Sequence, residues 1–89
     1  MPVVGIPSLL RELTNGESSL TVAGDIVQDV IENLENLYPG LKERLCHRDR
    51  LRPSISVVVD GQVSTLKLRH RLKKSSEVHF VIAISGGNF

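Results

Sequence analysis

Aromatic side chains are scarce in this chain of 89 residues: Tyr38, Phe80 and Phe89 stand alone, and there is no tryptophan. A core must therefore be assembled from Val, Ile and Leu. A single cysteine, Cys46, excludes an internal disulfide and suits a reducing compartment. No run approaches the roughly 18 consecutive apolar residues of a membrane span. The N-terminus lacks the basic-then-apolar pattern of a secretory signal. These absences lead to an expectation of a cytoplasmic protein with no membrane partner. His47, His70 and His79 do not have metal-ligand spacing, so no metal is expected. Cys46 and His47 are neighbours in sequence but have no orienting third residue, and a small core or loop thiol is the expected role for Cys46.

The charge present is unevenly spread. Up to Leu41 there is one basic residue against six acidic ones; from Lys42 onward there are ten basic against four. The formal net charge is only +1. Arg44, Arg48, Arg50, Arg52, Lys67, Arg69, Arg71, Lys73 and Lys74 form a solvated basic face or, alternatively, steer an acidic partner. The lack of stacking aromatics among them argues against nucleic acid.

Along the chain, Met1 to Ile6 is a β-branched run closed by Pro7 and reads as a strand. Ser8 to Leu13 is too short for a stable helix and reads as a helical turn that tucks Leu9, Leu10 and Leu13 under a sheet. Ser19 to Ala23 alternates as a half-buried strand, with Leu20 and Val22 on one face. Asp25, with Gln28 three residues on, reads as the N-terminal cap of the main helix. Its apolar stripe is Ile26, Val27, Val30, Ile31, Leu34, Leu37 and Tyr38, with Asp29, Glu32, Asn33, Glu35 and Asn36 facing away. Pro39-Gly40 ends it.

Gly40 to Leu45 adds a helical turn, and Cys46 to Pro53 reads as a polar, basic loop. Ser54 to Asp60 is a strand with Ile55, Val57 and Val59 on one face. Val63 to Leu72 reads as an exposed edge strand or a short connection. Glu77 to Ile84 is the last strand, with Val78, Phe80, Ile82 and Ile84 inward. A first hairpin, a crossing helix and a returning terminal strand predict an α+β fold of the β-grasp type. It has a mixed sheet of four to five strands and one main helix packed on one face. Residues 1–84 form the domain and 85–89 a flexible tail.

The run Ile6-Pro7-Ser8-Leu9-Leu10-Arg11-Glu12-Leu13-Thr14-Asn15-Gly16, the helix from Asp25 to Tyr38 with Pro39-Gly40-Leu41-Lys42-Glu43-Arg44-Leu45, the Val59-Asp60-Gly61 turn and the Gly86-Gly87 end together resemble the MoaD/ThiS family. These are the ubiquitin-like sulfur carriers of molybdopterin, thiamine and, in one branch, cysteine synthesis. The resemblance implies a carrier rather than an enzyme. Gly87 would be adenylated by a ubiquitin-activating-type enzyme that uses ATP, with no cofactor bound by the carrier itself. A sulfur donor would then convert it to a thiocarboxylate for a sulfur-accepting synthase.

Gly86 and Ser85 supply the slender approach, since glycine's missing β-carbon lets backbone thread a narrow channel. Unlike the usual carrier, this chain has Asn88 and Phe89 after the diglycine, so Gly87 is held in a peptide bond. Removal by a JAMM-type protease is the implied remedy; a carrier that is never charged is the other reading. Val58, Val81 and Ala83, on the strand face away from the helix, are either incidental sheet aliphatics or a partner-docking patch. Two further functions remain open: a ubiquitin-like modifier joined to lysines, and a binding module with an inert tail.

Overall fold

The computed structural model describes residues 1–83. Ile84, Ser85, Gly86, Gly87, Asn88 and Phe89, and with them the expected tail, lie outside the described residues.

Strand β1 (Val3–Gly5) runs into a 3₁₀ segment (Ser8–Thr14) and returns as β2 (Ser19–Thr21), antiparallel to it. Helix α1 (Val27–Leu37) crosses the sheet, and a short helix α2 (Leu41–Leu45) follows. A small two-stranded ribbon, β3 (Cys46–His47) and β4 (Arg50–Leu51), comes next. The chain then enters β5 (Ile55–Val59), β6 (Gln62–Val63), a 3₁₀ turn (Lys67–Arg69) and β7 (Glu77–Ile82). The main sheet has five strands in the order β2-β1-β7-β5-β6. Among the described residues its one parallel pair, β1 with β7, lies at its centre. Parallel neighbours need a crossover, and the long excursion through α1 supplies it. This is the expected mixed β-grasp sheet.

The core lies between α1 and the inner sheet face. Val27, Val30, Ile31 and Leu34 of α1 are buried against Val4, Val57, Val59, Val78 and Phe80. The helix stripe is narrower than its periodicity predicts. Ile26 and Tyr38 are half-buried, and Leu37 is 58% exposed. Leu10 is buried and Leu13 packs at the core's edge, but Leu9 points away from it. In a 3₁₀ helix side chains repeat every third residue, so Leu10 and Leu13 share a side that Leu9 does not.

The helix start also differs from expectation. Asp25 and Gln28 do not cap it; Ile26 is the N-cap residue, with extended backbone, bridged to Arg71. Asp29, in the first turn, supplies the carboxylate, accepting from Ile26 N (3.2 Å) and Asp25 N (3.1 Å). The bridge to Arg71 holds Ile26 extended, which moves the start of α1 past Asp25. At the other end Gly40 takes φ +106°, a left-handed conformation that favours glycine. Glu35 does not face away: its carboxylate accepts from Gly40 N (3.1 Å) and Lys42 N (2.9 Å), tying α1 to α2.

The expected loop at Cys46–Pro53 is the β3–β4 ribbon, turned through left-handed Arg48 and Asp49. Leu51, apolar within that basic run, is buried and anchors it to the core. The stretch from Val63 to Leu72 contributes only Val63 to a strand; the rest is the 3₁₀ turn and its flanks.

Candidate functional site

The outer sheet face, away from α1, is built by strand alternation. Val58 of β5 pairs with His79 of β7 and with Val63 of β6, and His79 pairs in turn with Gly5 of β1. These residues form one row across four strands, with side chains on the outer face. Val81, two residues beyond His79, shares that face. Val58 is half-buried beneath its neighbours, Val81 is 49% exposed, Val63 is 67% exposed, and Ala83 is exposed. The three residues expected to form a docking patch thus lie on one surface. Ala83 N donates to Ser54 O (2.7 Å), which extends the β5–β7 pairing to the last described residue.

Sequence reasoning missed two residues of this face. The imidazole of His79 lies across Gly5. A β-carbon at Gly5 would overlap the ring, 2.7 Å from its Cε1. The other ring nitrogen, Nε2, is 3.5 Å from Glu77 Oε1. The signal was present: a glycine inside a β-branched strand marks close approach by another group. Without the cross-strand register, nothing says which group approaches.

The other flagged residues lie elsewhere. Cys46 is buried, and burial pushes its thiol pKa up, which disfavours the reactive thiolate. His70 Nδ1 is hydrogen-bonded to the buried Ser64 hydroxyl (2.6 Å), and His47 is exposed on the small ribbon. Among the described residues no group of three or more His, Cys, Asp or Glu is placed to hold a metal ion. No helix among them is long and apolar enough to cross a membrane.

The basic residues gather on the ribbon and on the connection from β6 to β7. Lys67 stands in the left-handed region at φ +53°, held there by its amide's hydrogen bond to Ser64 Oγ (3.0 Å). Arg52 donates through Nε and Nη2 to Glu43 O at 3.0 and 2.8 Å, so it fastens the ribbon instead of projecting freely.

A five-stranded mixed sheet with a parallel central pair and a helix crossing one face defines the ubiquitin-like β-grasp class. Within that class the ThiS family model matches residues 4–87, and the chain belongs to the ThiS family. The sulfur carrier protein CysO of Mycobacterium tuberculosis is 45% identical over 42 residues, which are 47% of this chain and 45% of CysO. The match therefore spans about half the length of that curated relative. A chain of the Amycolatopsis orientalis BexX/CysO complex superposes with a TM-score of 0.92 at 29% identity, covering 98% of this chain and 100% of that one. Small archaeal modifier protein 1 of Methanosarcina acetivorans gives 0.83 at 28% identity, covering 97% and 95% of the two chains.

Proposed function

We propose that the protein is a sulfur carrier whose reactive group is the carboxylate of Gly87, freed by hydrolysis of the bond to Asn88. A JAMM-type protease removes Asn88-Phe89. A ubiquitin-activating-type enzyme then joins the carboxylate to the AMP part of ATP and releases pyrophosphate. A sulfur donor displaces AMP, leaving a thiocarboxylate that passes its sulfur to an accepting synthase. Ser85 and Gly86 thread the partner's channel, while Val58, Val81 and Ala83 hold the body against its surface.

One observation carries this reading: the family match runs through Gly87 and stops before Asn88. The aliphatic side chains Val58, Val81 and Ala83 on the outer face, the last of them only four residues before Gly87 in sequence, support it. Intact-mass analysis of the protein from its native cells is the test. The expected species ends at Gly87, with a companion heavier by the difference between a sulfur and an oxygen atom. A population that retains Phe89 under all growth conditions would overturn the reading.

The likeness to an archaeal modifier protein favours one alternative, conjugation to lysines. The adenylate chemistry is common to both. An antibody against the chain would reveal larger conjugates in cell extracts for a modifier and none for a pure carrier.

A further inference from the structure

A groove of about 650 Å³ separates the ribbon's end from the Thr65–Arg69 turn. Its floor includes Leu51, and Leu66, 52% exposed, stands at its edge. Arg50, Lys67 and Arg69 line it, with Asp49 as the one acidic residue. Among the described residues the ion pairs are Lys42–Glu32 and His79–Glu77, neither of which involves these three cations.

The walls are fixed by hydrogen bonds. Ser64 Oγ holds Lys67 N, Arg69 N donates to Leu66 O (3.0 Å), and His70 N donates to Lys67 O (3.1 Å). One end of the groove is Pro53, adjacent to Ser54, whose carbonyl receives Ala83 N. The groove therefore lies near Ala83, the last described residue before the diglycine end of the sequence.

We propose that this groove docks an acidic segment of a partner protein. One apolar side chain of that segment lies against Leu51 and Leu66, and its carboxylates face Arg50, Lys67 and Arg69. Three cations against one anion set the sign of the occupant's charge. The leucine surfaces call for an apolar side chain, which a polyphosphate backbone does not carry. No aromatic residue lines the groove for bases to stack on. Its position makes the occupant a segment of the protein that receives the tail. That identity rests on the carrier reading; the docking itself does not.

The test is an NMR titration of the isotope-labelled full chain, at low ionic strength, with a peptide of glutamates and aspartates around one leucine. Amide shifts are expected to concentrate at Arg50–Leu51 and Thr65–Arg69. Replacing the peptide's leucine by serine should weaken binding roughly fivefold. The paired exposed substitutions Arg50→Glu and Lys67→Glu, with the fold checked by circular dichroism, should weaken it roughly tenfold or more. Binding should fall as salt rises. Shifts spread equally over Arg44, Lys73 and Lys74 would overturn the proposal, as would undiminished binding of the leucine-free peptide. Equal binding of a DNA oligonucleotide of the same charge, or self-association seen by light scattering, would also overturn it. A Gly87→Ala chain should bind the peptide unchanged, so failure here is distinguishable from failure of the carrier reading.

Discussion

The two faces of β7 differ in what they do with apolar side chains. On the inner face Val78 and Phe80 are 0% and 3% exposed and pack under α1; on the outer face Val81, the residue after Phe80, is 49% exposed. A residue type that serves the core on one side has no core to serve on the other. The inner residues are accounted for by the fold alone. The outer valine is not; it pairs across the sheet with exposed Ser56, next to the row of Val63, Val58 and His79 over Gly5, on the same outer surface. Burial and exposure on a single strand thus separate what maintains the domain from what is available to a partner.

The sharpest way to break that contrast is to truncate each face in turn. Phe80→Ala should destabilise the protein by about 3–5 kcal/mol, the usual cost of emptying an aromatic site in a packed core. In urea unfolding that is a large fraction of the 5–15 kcal/mol typical of a domain, so partial unfolding in buffer is expected. Val81→Ser should change stability by no more than about 1 kcal/mol, the span of β-propensity effects. On the carrier reading proposed above, Val81→Ser in a chain ending at Gly87 should nonetheless reduce adenylation by an activating enzyme roughly tenfold, as loss of a central interface contact does. If Val81→Ser leaves adenylation unchanged, the outer face is an ordinary sheet surface.

A smaller effect isolates the seat beneath His79. Gly5→Ala forces the ring out of its position, which should cost about 0.5–1.5 kcal/mol, the scale of an off-rotamer side chain. His79→Ala removes the ring, so adding Gly5→Ala to that background should cost less than it does in the parent. Unfolding free energies of the four proteins give the coupling directly. A coupling of zero would mean that the glycine is needed for some other reason.

Much of this architecture is legible in the residues, and the exceptions have identifiable physical causes. The stripe Val27, Val30, Ile31 and Leu34 and the alternation Ile55, Val57, Val59 are local periodicities, and the structure uses both. Their order along the chain is enough for the β-grasp topology. What was not legible depends on contacts remote in sequence. Ile26 is held extended by Arg71, so the helix starts past Asp25. Leu37 obeys the helix period, yet no other part of the fold covers it and it is exposed. Leu51 looked like one apolar residue in a basic loop, yet burying it turns that loop into a ribbon. The outer patch of Val58, Val81 and Ala83 could be read from strand alternation; the His79–Gly5 contact required the register between β1 and β7.

The faintest expected effect lies at the opposite end of β7 from the tail, which makes it a control for the contrast between the faces. Asp60 turns the chain at φ +51°, and its carboxylate accepts from Glu77 N (2.9 Å) and Ser76 Oγ (3.1 Å). The Glu77 amide is the main cause, with the Ser76 hydroxyl adding to it, of a pKa held below the ordinary 3.8. The folded protein therefore takes up this proton less readily than the unfolded chain. The resulting stabilisation is fully present above the unfolded value and is lost as pH falls through the folded one. Asn tolerates the left-handed backbone and keeps one accepting oxygen, so Asp60→Asn should remove the charge-dependent part alone. Melting temperatures of parent and variant should differ in the parent's favour at about pH 6 and converge as the pH falls through the pKa of the folded carboxyl. On the carrier reading, adenylation at neutral pH of chains ending at Gly87 should be the same in both. A melting difference that persists unchanged into acid would mean that geometry, not charge, fastens the start of β7. A loss of adenylation would mean that the two ends of the strand are not independent.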